Sequence, residues 1–345
     1  MNIVMLNTAT LDDKVVIKGG HTSGGGSAGG GNTGGGNTGS DMPVIGDGKT
    51  YLYITIAAEG RMDVPLYFTQ TVANGVTIDW GDGSPTETMS GTGNKTAKHK
   101  YAAIGKYVIS LNPVDGCTLG LGLGMSSFSV MGSTEQSNSV YCTMLQAVEI
   151  GKGITSIDDY AFYRCHSLAS IMIPEGVTNI GYYAFGECYS LASIVIPESL
   201  TYIGGRAFFY CYTLSSIVIP NSVTAIGEYL FGECYSLASI VIPEGVTNIG
   251  KYAFYRCYSL ASIVIPYGVT SIGNNAFQSC TGMAFSDFSN YTSVPSLGSN
   301  VFSSIPSDCK IIVPDALYDT WIAATNWSIY ASNIIKKSDW DASQS

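Results

Sequence analysis

The sequence predicts a mainly β chain with two folded parts: a small antiparallel β-sandwich and, after it, a solenoid of short, nearly identical coils. Three observations predict it. Cys165, Cys188, Cys211, Cys234, Cys257 and Cys280 recur every 23 residues, and Cys142 falls one interval earlier. From Thr50 to Met125, apolar and polar residues alternate in short runs, which is the period of a half-buried strand. Residues 19–39 hold twelve glycines in twenty-one positions, a composition that cannot bury a core and so divides the chain.

Composition narrows the function classes first. At 345 residues the chain has room for two to three folded units of ~150 residues each. Sixteen basic against twenty-six acidic residues give a net charge of −10, which opposes a phosphate backbone and an anionic lipid surface, so neither nucleic acid nor a membrane surface is an expected partner. The N-terminus has no basic start followed by an apolar run, because Asn2, Asn7, Thr8, Asp12 and Asp13 interrupt it; no secretory signal or membrane insertion is expected. An odd count of nine Cys in a long chain predicts free thiols.

Residues 1–18 carry Val4, Leu6 and Val15-Val16-Ile17 and are too few to fold alone, so they are expected to serve as an attachment segment for a larger assembly, such as a capsid or a tail. Residues 19–41 are the Gly-rich linker. Residues 42–132 are expected to form the sandwich, with strands at Tyr51–Ile56, Val76–Trp80, Tyr107–Leu111 and Leu119–Met125. Within them Trp80-Gly81-Asp82-Gly83-Ser84 reads as a strand ending in a tight Asp-Gly turn. This motif, followed by His99-x-Tyr101 and Gly105-x-Tyr107-x-Ile109, resembles the polycystic-kidney-disease (PKD) domain. The resemblance covers about 35 residues and implies an immunoglobulin-like spacer without catalysis.

Residues 133–305 are expected to form the solenoid. Units start at Leu145, Leu168, Leu191, Leu214, Leu237 and Leu260, with a degraded one at Met283, on the pattern L-x-S-I-V-I-P-x-x-V-T-x-I-G-x-x-A-F-x-x-C-Y-S. A fixed period of this length with one short apolar strand per unit predicts a leucine-rich-repeat solenoid, each unit covering its neighbour's apolar edge. Alternation turns Leu191, Ile194 and Ile196 inward and Ser193 and Val195 outward. The Cys column reads as buried apolar rungs, since a zinc site needs paired Cys and each unit offers one. The pattern resembles the BspA-like (Treponema pallidum type) leucine-rich repeats, which implies a surface protein of host-associated bacteria or of their phages, binding host proteins, glycans or cells, with no enzyme activity. Residues 306–345 are expected to cap the last rung, with a strand at Lys310–Pro314 and a short helix bearing Leu317, Trp321 and Ala324.

A search for chemistry finds none. Of the three His, His21 lies in the linker, His99 belongs to the sandwich pattern and His166 replaces the Tyr of later rungs, pointing away from Cys165. Asp158-Asp159 are adjacent in a turn and lack the facing geometry of glycosidase carboxylates. No enzyme activity, cofactor or metal is expected. Ligand binding is assigned instead to the column His166, Tyr189, Tyr212, Tyr235 and Tyr258, whose aromatic faces would form a strip for a host-surface protein or glycan. Tyr160, Tyr183, Tyr229 and Tyr252 form a second column on the outer turn, and Arg164, Glu187, Tyr210, Glu233 and Arg256 a charged one whose pairs are expected to be weak and exposed. The expected setting is a virion surface; a bacterial cell surface and a purely structural spacer are the alternatives. Homo-oligomers fit any of these.

Overall fold

The computed structural model describes residues 47–59, 62–122, 128–133, 139–151 and 153–345. The expected attachment segment and linker, with Leu123 and Met125, lie outside the described residues. Residues 46–345 form one unit by their internal contacts.

Each 23-residue coil makes two short parallel strands joined by turns. The first strand is the Ser-Ile-Val segment: Ser170–Met172, Ser193–Val195, Ser216–Val218, Ser239–Val241 and Ser262–Val264. Its middle Ile is buried and its flanking residues are mostly exposed, as alternation requires. The second is the two-residue strand after the Val-Thr pair, such as Asn179–Ile180 and Tyr202–Ile203. Between coils, partners stand in register 23 apart: Ile171 faces Ile194, and Ile217 faces Ile240. The return turns are laddered as well. The amide of Phe162 donates to the Ala184 carbonyl at 2.7 Å, and Phe185, Phe231 and Phe254 repeat this contact. Pro197 and its equivalents end the first strand because proline offers no amide to the ladder.

The core of the stack is built of columns. Leu191, Ile194, Ile203, Ala207, Phe208 and Cys211 are buried together with their counterparts in every other coil. Phe162, Phe185, Phe208, Phe231, Phe254, Phe277 and Phe302 stack with centroids 5.2–5.6 Å apart. All nine Cys are buried and none is in a disulfide. From Cys188 on, each ladder thiol donates to a Phe carbonyl of the preceding coil: Cys188 to Phe162 at 3.2 Å, Cys211 to Phe185 at 3.3 Å and Cys234 to Phe208 at 3.1 Å.

Upstream lie the antiparallel strands Thr50–Ile56, Asp63–Gln70, Val76–Asp79, Glu87–Thr88, Gly93–Lys100, Gly105–Pro113 and Leu119–Leu121. They form two sheets, and both continue into the solenoid. Thr50–Ile56 pairs with Gly105–Pro113 on one side and antiparallel with Leu145–Glu149, the first rung, on the other. Leu119–Leu121 pairs with Asp63–Gln70 and, in parallel, with Ile154–Ile157. Leu52, Phe68, Trp80 and Leu121 therefore share one hydrophobic cluster with Leu145 and Phe162. Sequence reading expected a spacer beside the solenoid; the strands instead close the solenoid's first rung. The strand expected at Leu119–Met125 is described over Leu119–Leu121.

At the other end the first sheet runs past residue 305, where sequence reading placed the border. Lys310–Val313 pairs with Phe285–Asp287, and Ile334–Lys336 adds a further strand. The second sheet stops at Ser296–Leu297. The short helix Tyr318–Ala323 and its flanking turns cover it there: Trp321 and Trp327 are buried against Phe288, the Trp327 Nε1–H donates to the Pro295 carbonyl and Asn326 Nδ2 to that of Leu297.

Candidate functional site

The residues assigned to binding from sequence do form one column. His166 stacks on Tyr189 with centroids 4.3 Å apart and planes 6° apart, and Tyr189–Tyr212, Tyr212–Tyr235 and Tyr235–Tyr258 follow at 4.7–4.8 Å. Rung spacing is the cause, since coils ~4.8 Å apart bring equivalent rings to stacking distance. The expectation of open aromatic faces is corrected here: the faces cover one another, and edges and hydroxyls are what remains. His166 is half-buried and its pKa is lowered by that burial, so it is neutral at pH 7.

Beside this column runs a polar one. Glu187 accepts from the Tyr163 hydroxyl at 2.6 Å, from Arg164 Nε at 3.1 Å and from the Tyr189 hydroxyl at 3.1 Å. Two rungs on, Glu233 is only 3% exposed and pairs with Arg256 at 3.1 Å. These pairs are not the weak surface contacts expected. Tyr210 stands between the two glutamates and keeps like charges off adjacent rungs. Every residue of this column, from Arg164 (φ 60°) to Arg256 (φ 55°), has left-handed backbone. The outer column does too, from Tyr160 (φ 60°) to Tyr252 (φ 56°). There Tyr160 stacks on Tyr183, Tyr229 stacks on Tyr252, and Arg206 fills the gap with its guanidinium 4.7 Å from the Tyr229 ring centre. Left-handed backbone costs ~1–2 kcal/mol per L-residue, and Asn275, Ser279, Asn300 and Ser304 adopt it at the same positions of the last coils without a ring to stack, so the turn of the coil and not side-chain stacking sets it.

The surface that packing leaves free is the outer face of the first sheet. Met172, Val195, Val218, Val241 and Val264 are 60, 51, 72, 76 and 56% exposed. They occupy one position of consecutive rungs and form an apolar stripe about 19 Å long at ~4.8 Å per rung. Ser193, Ser216 and Ser239 line its side, and Glu149 and Asp287 hold the same position in the rungs before and after it. Soluble proteins mostly scatter exposed apolar residues singly, so a straight file of five is the candidate contact surface. Sequence alternation had turned Val195 outward; the exposed file across rungs was the signal that assigning function to tyrosine passed over.

Sandwich residues converge on a smaller cluster. The His99 ring stacks on Trp80, its Nε2 lies 2.7 Å from Asp82 Oδ2, and the Tyr101 hydroxyl donates to the Trp80 carbonyl. Burial alone would raise the Asp82 carboxyl, but hydrogen bonds with Ser84 and His99 overcome it and bring its pKa down to about 2. Gly81 has φ +76°, and a side chain there would collide with the Val108 carbonyl, so the turn requires glycine. Among the described residues no group of three or more His, Cys, Asp or Glu is placed to hold a metal ion, and no helix is long and apolar enough to cross a membrane.

Parallel strands of two or three residues, stacked every 23 residues with inward Leu, Ile, Phe and Cys columns, define a solenoid of the leucine-rich-repeat class. The chain belongs to the BspA type leucine rich repeat family, whose pattern matches six copies over residues 134–257 and 201–321. Among solved structures, the chain is similar to the leucine rich repeat protein of T. pallidum, at 31% identity over 51% of this chain and 81% of that one, with a TM-score of 0.44. It is also similar to a leucine rich cell surface protein of Faecalibacterium prausnitzii (26% identity, 51% and 62% covered, TM-score 0.35) and to a leucine-rich repeat protein of Bacteroides ovatus (24%, 55% and 66%, 0.35). No curated protein matches the chain.

Proposed function

We propose that the chain is a non-enzymatic binding protein of the bacterial cell surface whose solenoid meets a protein partner through the Met172–Val264 stripe. The single observation behind this reading is the file of five exposed apolar side chains on a backbone held rigid by three side-chain columns. A glycan is the poorer ligand, because sugars stack on open aromatic faces and the Tyr faces here are spent on one another. The column of His166, Tyr189, Tyr212, Tyr235 and Tyr258 then acts as the stiff flank of the surface and lends it phenol edges. Family membership favours the cell surface as setting. The virion setting expected from sequence gains no support and is not carried further; the segment expected to dock there lies outside the described residues.

The sandwich is read as immunoglobulin-like and of PKD type. Convergence of Trp80, Asp82, His99 and Tyr101 supports this reading, and so does the two-sheet arrangement.

The test is retention of purified protein on cultured host epithelial cells. Val218→Ser combined with Val241→Ser should lower apparent affinity at least tenfold while the melting temperature holds, since both side chains already face water. Tyr212→Ser with Tyr235→Ser should instead destabilise the fold by ~2–3 kcal/mol, through four lost ring contacts. Full retention of the valine double variant would overturn the reading.

A further inference from the structure

On the five rungs that carry the stripe the charge is one-sided. From Leu168 to Thr178, Leu191 to Thr201, Leu214 to Thr224, Leu237 to Thr247 and Leu260 to Thr270, the strands and the proline turns after them contain no Lys, Arg or Asp. Their only charged residues are Glu175, Glu198 and Glu244, each three positions after a stripe residue and each exposed. None of the three takes part in an ion pair among the described residues, whereas Glu187, Glu228 and Glu233 all do. Glu175 and Glu198 lie on adjacent rungs, where two carboxylates repel; the equivalent position one rung earlier is Lys152, which lies outside the described residues. At the stripe's ends stand Glu149, which accepts from the Tyr53 hydroxyl at 3.0 Å, and Asp287, which accepts from the Ser289 amide at 2.7 Å.

We infer that the stripe takes a cationic amphipathic segment of a protein or peptide, its apolar face on Met172–Val264 and its Lys or Arg side chains on the carboxylate rim. This rests on the stripe being the binding surface and adds the chemistry of what it binds. Other occupants fit worse. A second copy of the chain, laid stripe to stripe, would bring one acidic rim and its acidic ends against another in a molecule already at −10. An anionic lipid surface meets the same repulsion. A helix of about 18 residues, ~27 Å long, matches the ~29 Å from the Glu149 rung to the Asp287 rung. Apolar burial would supply affinity and the rim would supply orientation and a fast, salt-sensitive approach.

The test uses the full chain and an 18-residue amphipathic peptide of leucine and lysine, with its glutamate-for-lysine counterpart, measured by calorimetry at two salt concentrations. The lysine peptide should bind at least tenfold more tightly than the glutamate peptide. Glu175→Gln, Glu198→Gln and Glu244→Gln together should cost at least tenfold and flatten the salt dependence. Asp308→Asn, Asp319→Asn and Asp339→Asn, the same change of charge at exposed positions off the stripe, should stay within twofold of the parent. Val218→Ser with Val241→Ser should weaken the lysine peptide at every salt concentration. Equal losses from the two triple variants would reduce the effect to net charge and overturn the inference, as would equal binding of both peptides. If the valine variant fails on cells while the lysine peptide is not held by the parent, the stripe stands as binding surface and only its cationic partner falls. If the valine variant also retains the cells, both fall.

Discussion

At the scale of single residues, the buried thiols make a sharp statement about pH. Burial holds Cys165, Cys188, Cys211, Cys234, Cys257 and Cys280 well above the usual thiol range, so in the folded chain they remain protonated, and from Cys188 on they donate to the Phe carbonyls. Unfolded, they ionise near ~8.5. Below that pH both states keep the protons and these groups leave stability unchanged. Above it only the unfolded state releases them, so stability falls as pH rises. The slope is ~1.4 kcal/mol per pH unit for each thiol, or ~8 for the six once all are ionised in the unfolded chain. Urea unfolding at pH 7.5 and 9.5 should show a steep loss, and a disulfide reagent should find these thiols unreactive until the chain unfolds. Equal stability at the two pH values contradicts the ladder.

The two glutamates of the polar column separate by their partners. Glu187 has two phenols besides Arg164, so Arg164→Ala should cost about 1 kcal/mol. Glu233 is buried, with Arg256 as its ion-pair partner and one phenol, Tyr235, beside it, and Arg256→Ala should cost about 2–3 kcal/mol by removing the countercharge of a buried carboxylate. Chemical denaturation of the two variants checks the order.

At the scale of elements, the junction decides what the N-terminal strands are for. A solenoid's first rung exposes unpaired edges, and here Thr50–Ile56 and Leu119–Leu121 pair with it in both sheets. A chain cut to residues 139–345 should therefore lose its sharp melting transition or associate through the freed edges, as seen by light scattering. A monomer melting at the parent temperature would restore the view of a detachable spacer. Legibility also follows elements. The repeats were readable because each position has one environment in every coil. Thr50–Ile56 and Gly105–Pro113 were readable from alternation. Gly93–Lys100 was not: it pairs on one side only, buries Ala97 alone and carries Lys95, Lys98 and Lys100, the composition of a guarded edge strand. Asp63–Gln70 hid its strand behind Pro65. The left-handed columns gave little signal, because Tyr, Arg and Glu there carry no mark of such backbone, and only Asn275 and Asn300, at the same position of the last coils, are of a type that favours it.

At the scale of the whole molecule, the same repetition that stacks the interior aligns whatever faces out. Tyrosines, being large, were drawn into columns that stiffen the stack, and the small β-branched residues of the first sheet were left uncovered. Aromatic residues marked the site's neighbourhood in the sequence but not the site. Met172 provides a direct reporter. It ends the stripe and is the one exposed methionine among the described residues, with Met62 and Met89 half-buried and Met131, Met144 and Met283 buried. The decisive measurement is the rate at which peroxide converts Met172 to the sulfoxide, read by peptide mass spectrometry with the protein free and bound to its target surface. The account predicts at least fivefold slower oxidation of Met172 on binding, with Met62 and Met89 unchanged. An unchanged Met172 rate in fully bound protein would contradict it.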